Sequence, residues 1–315
     1  MPIGEVFGKS IKIIWNHKSL ILLGFLAGLA TFVIGLIIHF VFDPRLLQDI
    51  SSSGIDSFLN QLSSDYAVWI AGGSIILFVG FIAAWIINTI AEGALIRGVS
   101  ESGQGNSLTF GQAWTAGAHL LKQFIAIDTV LFFPAFLILL LIMLTILGTL
   151  VALILVGINP GMALEKLLII ASAGGIVTIP LTCMLIPVFI VVYFLRIFAF
   201  REAAIAKRNS MDSIHHAFRL IWNRKGSVAI LALMLWALGY ASRLPFQALS
   251  LMLTILSLTI AFSATEDPII NLILTVSGFF IALLSWIVGS VIFTLTSAVW
   301  TLSFEDFVEP EGINN

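Results

Sequence analysis

The stretch SIKIIWNHKSLILLGFLAGLATFVIGLIIHFVF, Ser10–Phe42, decides the fold. It joins a mixed segment, ending in Trp15, Asn16 and Lys18, to the apolar run 19–42. A helix rises about 1.5 Å per residue, so roughly 20 apolar residues cross a hydrocarbon core. The run is therefore long enough to span a membrane. Its opening phrase IIWNHKS, Ile13–Ser19, returns as LIWNRKG, Leu220–Gly226, after a shift of 207 positions, and again a long apolar run follows.

The rest of the chain has the same character. Of 315 residues, 59% are hydrophobic and 10% charged, and mean hydropathy is +1.09. A soluble domain carries about 25% charged residues, so the solvent for this chain is lipid. A net charge of -2 argues against nucleic acid, whose binders need dense Lys/Arg fields. The single cysteine, Cys183, excludes an intrachain disulfide and is expected to be a small buried apolar filler. The first apolar run is expected to be a retained helix, because it exceeds a signal-peptide core and lacks a clear cleavage site.

Six spans are predicted, at 19–42, 67–91, 125–156, 167–195, 226–262 and 269–302. Backbone polar groups in lipid need internal partners, and the runs lack the alternation of a barrel. The expected fold is an all-α integral membrane bundle. Arg243 and Pro245 interrupt the fifth run. Its first half is expected to cross, and its second half to lie on the outer leaflet, re-enter it, or form a seventh span. Pro134, Pro180 and Pro187 are expected to kink their spans or sit near ends. Gly24 and Gly28, with Gly72, Gly73, Gly174 and Gly175, permit close helix approach.

Of the 15 Lys and Arg residues, 12 fall on one side. They are Lys9, Lys12, Lys18, Arg97, Lys122, Arg196, Arg201, Lys207, Arg208, Arg219, Arg224 and Lys225. The positive-inside rule then places both termini in the cytoplasm, in a bacterial inner membrane.

The repeated phrase has a physical reading. The shift of 207 matches Glu5 with Asp212, Lys9 with His216, Lys12 with Arg219 and Asn16 with Asn223. It also matches Phe7, Ile11, Ile14 and Trp15 with Ile214, Phe218, Ile221 and Trp222. Positions 5, 9, 12 and 16 share one helical face and 7, 11, 14 and 15 the other. Each copy is thus an amphipathic helix expected in the headgroup region, apolar side down, with Trp and cations at the interface. A degenerate third copy, LTFGQAWTAGAHLLK, runs from Leu108 to Lys122, with Phe110, Trp114 and Leu121 on an apolar face. The chain reads as one membrane domain of three pseudo-repeats, 1–106, 107–209 and 210–304, with an acidic tail 305–315. Each repeat is a surface helix followed by a transmembrane hairpin.

The candidate membrane-interface residues are Lys9, Lys12, Trp15, Lys18, Trp114, Lys122, Arg219, Trp222, Arg224 and Lys225. The expected partners are the lipid bilayer, anionic lipids and other membrane subunits. Ionisable groups inside a bilayer are costly unless paired, so Asp128, Arg243, Glu92, Glu202 and His39 form a second candidate set. Asp128 is expected to bond a nearby surface helix and Arg243 to snorkel outward. Glu92 and Glu202 stand five residues before Arg97 and Lys207 in AEGALIRG and REAAIAKR, and are expected to pair with a cation or cap a surface helix. His215 and His216 are expected at the surface.

The sequence has no HExxH, Walker loop, GxSxG or CxxC pattern, so neither enzymatic activity nor a cofactor is expected. Three units with six spans resemble mitochondrial carriers in outline, but their proline-acid-base motif is missing. The phrases SIKIIWNHK (10–18) and AFRLIWNRK (217–225) resemble an uncharacterised group of bacterial multi-pass membrane proteins. That group is similar to the membrane domain attached to some glycerophosphodiester phosphodiesterases. The catalytic domain of that association is missing here, so the resemblance implies a membrane bundle and carries no activity. The reading is a non-enzymatic scaffold or accessory component. The alternative is a transporter or channel for a small or amphipathic solute.

Overall fold

A computed structural model describes residues 3–29, 32–33, 67–106, 108–157, 164–262 and 268–308. Among the described residues all regular structure is helical. The helices are α1 (Ile3–Asn16), α2 (Lys18–Ala27), α3 (Ala67–Gly103), α4 (Phe110–Gly157), α5 (Leu164–Ile205), α6 (Ser210–Asn223), α7 (Lys225–Phe262) and α8 (Pro268–Val308). Five of them, α3, α4, α5, α7 and α8, are long and apolar enough to cross a membrane. The protein is a multi-pass membrane protein. Of the predicted first span, α2 and a few following residues are described; the remainder, with His39, lies outside the described residues.

Local sequence sets the helix ends. Asn is a poor helix former because its amide competes for backbone hydrogen bonds. Both surface helices stop at an Asn, Asn16 and Asn223, and the next helix starts at a lysine. The segment 108–122 has no such stop. It was expected as a separate surface helix, but it runs without a break into its span as α4. Its start is fixed by a capping box. The Gln112 amide donates to Thr109 Oγ1 at 3.4 Å, and the Thr109 amide donates to Gln112 Oε1 at 3.0 Å.

Two further expectations are corrected. The fifth run does not divide at Pro245: α7 is one helix of 38 residues, about 57 Å long. Thr254 Oγ1 and Ser257 Oγ donate to carbonyls of Ser250 and Thr254, so this polar stripe is satisfied by its own helix. Nor does the acidic tail begin at residue 305. α8 continues to Val308, with Leu302 and Phe304 buried on the way. Helices α4 and α5 likewise pass through Pro134, Pro180 and Pro187 unbroken.

The chain divides into two compact units, 1–121 with 225–315, and 122–224. In the first, α8 packs on α1, α2, α3 and α7. Its contact with α2 uses the expected glycines. A Cβ on Gly24 would lie 1.8 Å from Thr294 Oγ1 and 2.8 Å from the Ser290 carbonyl, so only glycine lets the backbones approach this closely. The Trp286 ring beside them meets Phe25 edge-on at 5.3 Å and stacks on Phe32 at 4.8 Å. In the second unit α4 and α5 form a hairpin closed by Ala135, Ile142 and Leu185. Cys183, expected as a buried filler, is exposed on α5, because the stripe through Leu185 turns toward α4 and position 183 turns away.

Candidate functional site

The two surface helices occupy residues that the shift of 207 superimposes, Ile3–Asn16 and Ser210–Asn223. Each has three faces rather than the two expected. One packs on the protein: Val6, Ser10, Ile13 and Ile14 in α1, and Ser213, Ala217 and Leu220 in α6. Helix α1 sits on α8, α2 and α3, and α6 on α5. The residues Ser10, Ser213 and Ala217 are small enough to bring these helices close. The second face is apolar and uncovered by its own unit. Ile11 and Trp15 (79% exposed) line it in α1, and Phe218 and Trp222 (66% exposed) in α6. The rings of Phe218 and Trp222 stack at 6.2 Å. The third face is polar. Ile14, assigned from sequence to the lipid-facing set, is instead buried against the protein, because it continues the stripe of Val6 and Ser10 by one turn.

Lys9, Lys12, Lys18, Lys122, Arg219, Arg224 and Lys225 are all exposed. The start of α4 keeps the same arrangement. Ala113 is buried, and a Cβ on Gly117 would lie 2.2 Å from the Ile90 carbonyl of α3. One position further round, Trp114 is partly exposed and stacks on Phe110 at 6.1 Å.

The intramembrane candidates fall into separate environments. Asp128, 5% exposed, receives a hydrogen bond from Arg196 Nε of α5 at 2.8 Å. It thus bonds the opposite helix of its hairpin. The Arg196 guanidinium lies 4.2 Å from the Phe200 ring centroid, close enough for a cation–π contact. Phe200 stacks on Phe124 at 3.8 Å. Burial thus places one ion pair between two aromatic rings and the hairpin.

Glu202, 1% exposed, is held six residues beyond Arg196 on α5. It bonds His216 Nδ1 of α6 and lies 3.4 Å from Arg208 Nε. Lys207, the partner suggested by spacing, does not meet it. Lys207 has φ 55° and ends α5 in the left-handed region, which turns its side chain's backbone position away from the helix it follows. His216 is accordingly no surface residue, whereas His215 is exposed. Two more bonds seat α6: Ser210 Oγ donates to the Gln123 carbonyl at 3.4 Å, and Ser213 Oγ to the Arg208 carbonyl at 3.3 Å. Glu92 is buried in α3 and Arg243 is exposed on α7.

Sequence reasoning missed Arg196, Arg208 and His216. A signal for Arg196 was present. It precedes the apolar IFAF, Ile197–Phe200, so it lies inside the helix, near the level of Asp128 on the antiparallel partner. Among the described residues no group of three His, Cys, Asp or Glu side chains is disposed to hold a metal. No family model, curated protein or solved structure matches this chain.

Proposed function

We propose that this protein is a non-enzymatic scaffold or accessory component of a bacterial inner membrane. It has six spans in three repeats, with both termini in the cytoplasm. Its interfacial helices engage lipid or partner subunits. The resemblance of SIKIIWNHK and AFRLIWNRK to the membrane domain attached to some glycerophosphodiester phosphodiesterases fits this role.

One observation carries the reading. Both surface helices leave an aromatic face open, Ile11 and Trp15 in one and Phe218 and Trp222 in the other, while cations at their ends stay exposed. An exposed apolar patch rimmed by polar residues marks an interaction surface. Trp beside Lys or Arg is the composition that membrane interfaces favour. Photo-crosslinking residues placed at Ile11 and Phe218 in cells test it. The expected products are lipid adducts or a recurring membrane subunit at both positions. Spin labels at Lys12 and Arg219 should sit at headgroup depth in one leaflet. Labels in a protein interior, or on opposite leaflets, overturn the proposal.

A second reading is supported by the ion pair of Asp128 and Arg196. A paired charge inside an apolar hairpin is a common element of solute or proton paths. Solute flux through proteoliposomes that disappears in an Asp128→Asn, Arg196→Gln double variant would move the assignment to a transporter.

A further inference from the structure

We infer that the open ridge of α6 is a selective site for the headgroups of anionic phospholipids. This rests on the interfacial reading above and names the ligand of one surface. The ridge consists of His215, Phe218, Arg219 and Trp222, all exposed and spaced to share one side of a helix. The opposite stripe, Ser213, Ala217 and Leu220, is buried against its own unit, so the ridge cannot turn inward. The register is locked by the bonds of His216 to Glu202 and of Ser210 to the Gln123 carbonyl.

The chemistry of the ridge is divided along its length. Phe218 and Trp222 stack into one apolar plate. Arg219 adjoins both rings. Arg224, the residue that ends α6, follows two positions after Trp222. The acid of this helix, Asp212, stands ten residues before Trp222, about 15 Å away. Two cations, Arg219 and Arg224, therefore stand at the C-terminal end of α6, and negative charge is kept at the other. A phosphate with a net negative headgroup matches the charge of this end, and its acyl chains continue onto the plate. A zwitterionic headgroup brings its own cation into the same cluster and is repelled there. An acidic protein segment would satisfy the arginines but gains less from a plate that sits at the level of the acyl chains.

The test uses the full chain in nanodiscs holding phosphatidylglycerol and phosphatidylcholine in equal amounts. The phospholipid retained after gentle extraction is identified by mass spectrometry. Phosphatidylglycerol should be enriched by the wild type and by Arg219→Lys. In Arg219→Gln the enrichment should fall about fivefold, the effect of one cation near an anionic surface. The double variant Arg219→Gln, Arg224→Gln should lose it. If the double variant does not fold, the Lys and Gln pair at position 219 decides. Retention by the wild type in the bulk ratio overturns the inference, as does equal loss in both single variants. If selectivity is absent and a crosslinker at Phe218 captures one acidic membrane subunit, the ridge is a protein site. The scaffold reading then stands and this one fails. If Phe218 reaches neither lipid nor protein, both fail.

Discussion

The two units hold their helices together by different means. In the first, α2 and α8 touch through Gly24 and a face of serine and threonine, and the start of α4 meets α3 through Gly117. In the second, α4 and α5 are tied by Asp128 and Arg196, and α5 and α6 by Glu202 with His216 and Arg208. Lipid removes the hydrophobic drive between transmembrane helices, so association relies on close van der Waals approach or on polar bonds. This chain uses both solutions, one mainly in each unit. The same division separates the surface helices. Helix α1 is seated by Val6, Ile13 and Ile14, whereas α6 replaces much of that apolar area with Ser213, Ala217 and the contact of His216 with Glu202. Their outward ridges nevertheless keep the same register. Attachment has diverged while the uncovered face has not.

The largest effect is expected at the ion pair of the second unit. Asp128→Leu strands a partly buried arginine, and such losses cost about 3–5 kcal/mol. Pairing it with Arg196→Met should recover most of that, as hydrophobic replacement of a whole buried pair does. Reversible unfolding in mixed micelles measures both. No recovery in the double variant would mean that the hairpin is not held in the way described.

Next is Glu202→Ala, which removes the acceptor of His216 and is expected to cost about 2–3 kcal/mol. Hydrogen exchange should rise across 210–223 and stay unchanged across 3–16, since α1 is seated by Val6, Ile13 and Ile14. Equal rises in both segments would abolish the contrast between the two seats.

Gly24→Leu addresses the first unit. Its added atoms overlap Thr294 and the Ser290 carbonyl, at an expected cost of about 1–3 kcal/mol from overpacking. A crosslink between cysteines placed in α2 and α8 should form more slowly. An unchanged rate would show that the backbones are not in close contact.

The smallest change in stability belongs to the ridges. Trp15→Ala and Trp222→Ala should each stay within about 0.5 kcal/mol, the range of exposed substitutions. Each should still reduce the membrane depth of its own helix, measured by quenching from brominated lipid. A large loss of stability from either would mean that the ring is covered.

Much of the fold was legible because it is local. A run such as 269–302 has no charge to interrupt it, so its helical, membrane-embedded state follows from length and composition. The GFLAG spacing of Gly24 and Gly28 likewise announced a close contact. Pro245 misled because a proline removes one amide and one turn's geometry but does not prohibit helix on both sides, and α7 continues through it. The continuity of α4 was missed for the converse reason. Similarity to the other copies suggested a joint near Lys122, but no Asn stands there to end a helix.

The sequence by itself determined that the chain is helical, that several of its helices are long and apolar enough to cross a membrane, and the matched aromatic and cationic positions of α1 and α6. Those properties depend on neighbours within a turn or two along the chain. Only the tertiary structure decided which stripe of each surface helix faces inward, and that Asp128 meets Arg196 and Glu202 meets His216. Such choices depend on which helix lies alongside, and an amphipathic pattern with two apolar stripes fits either orientation until a neighbour covers one of them.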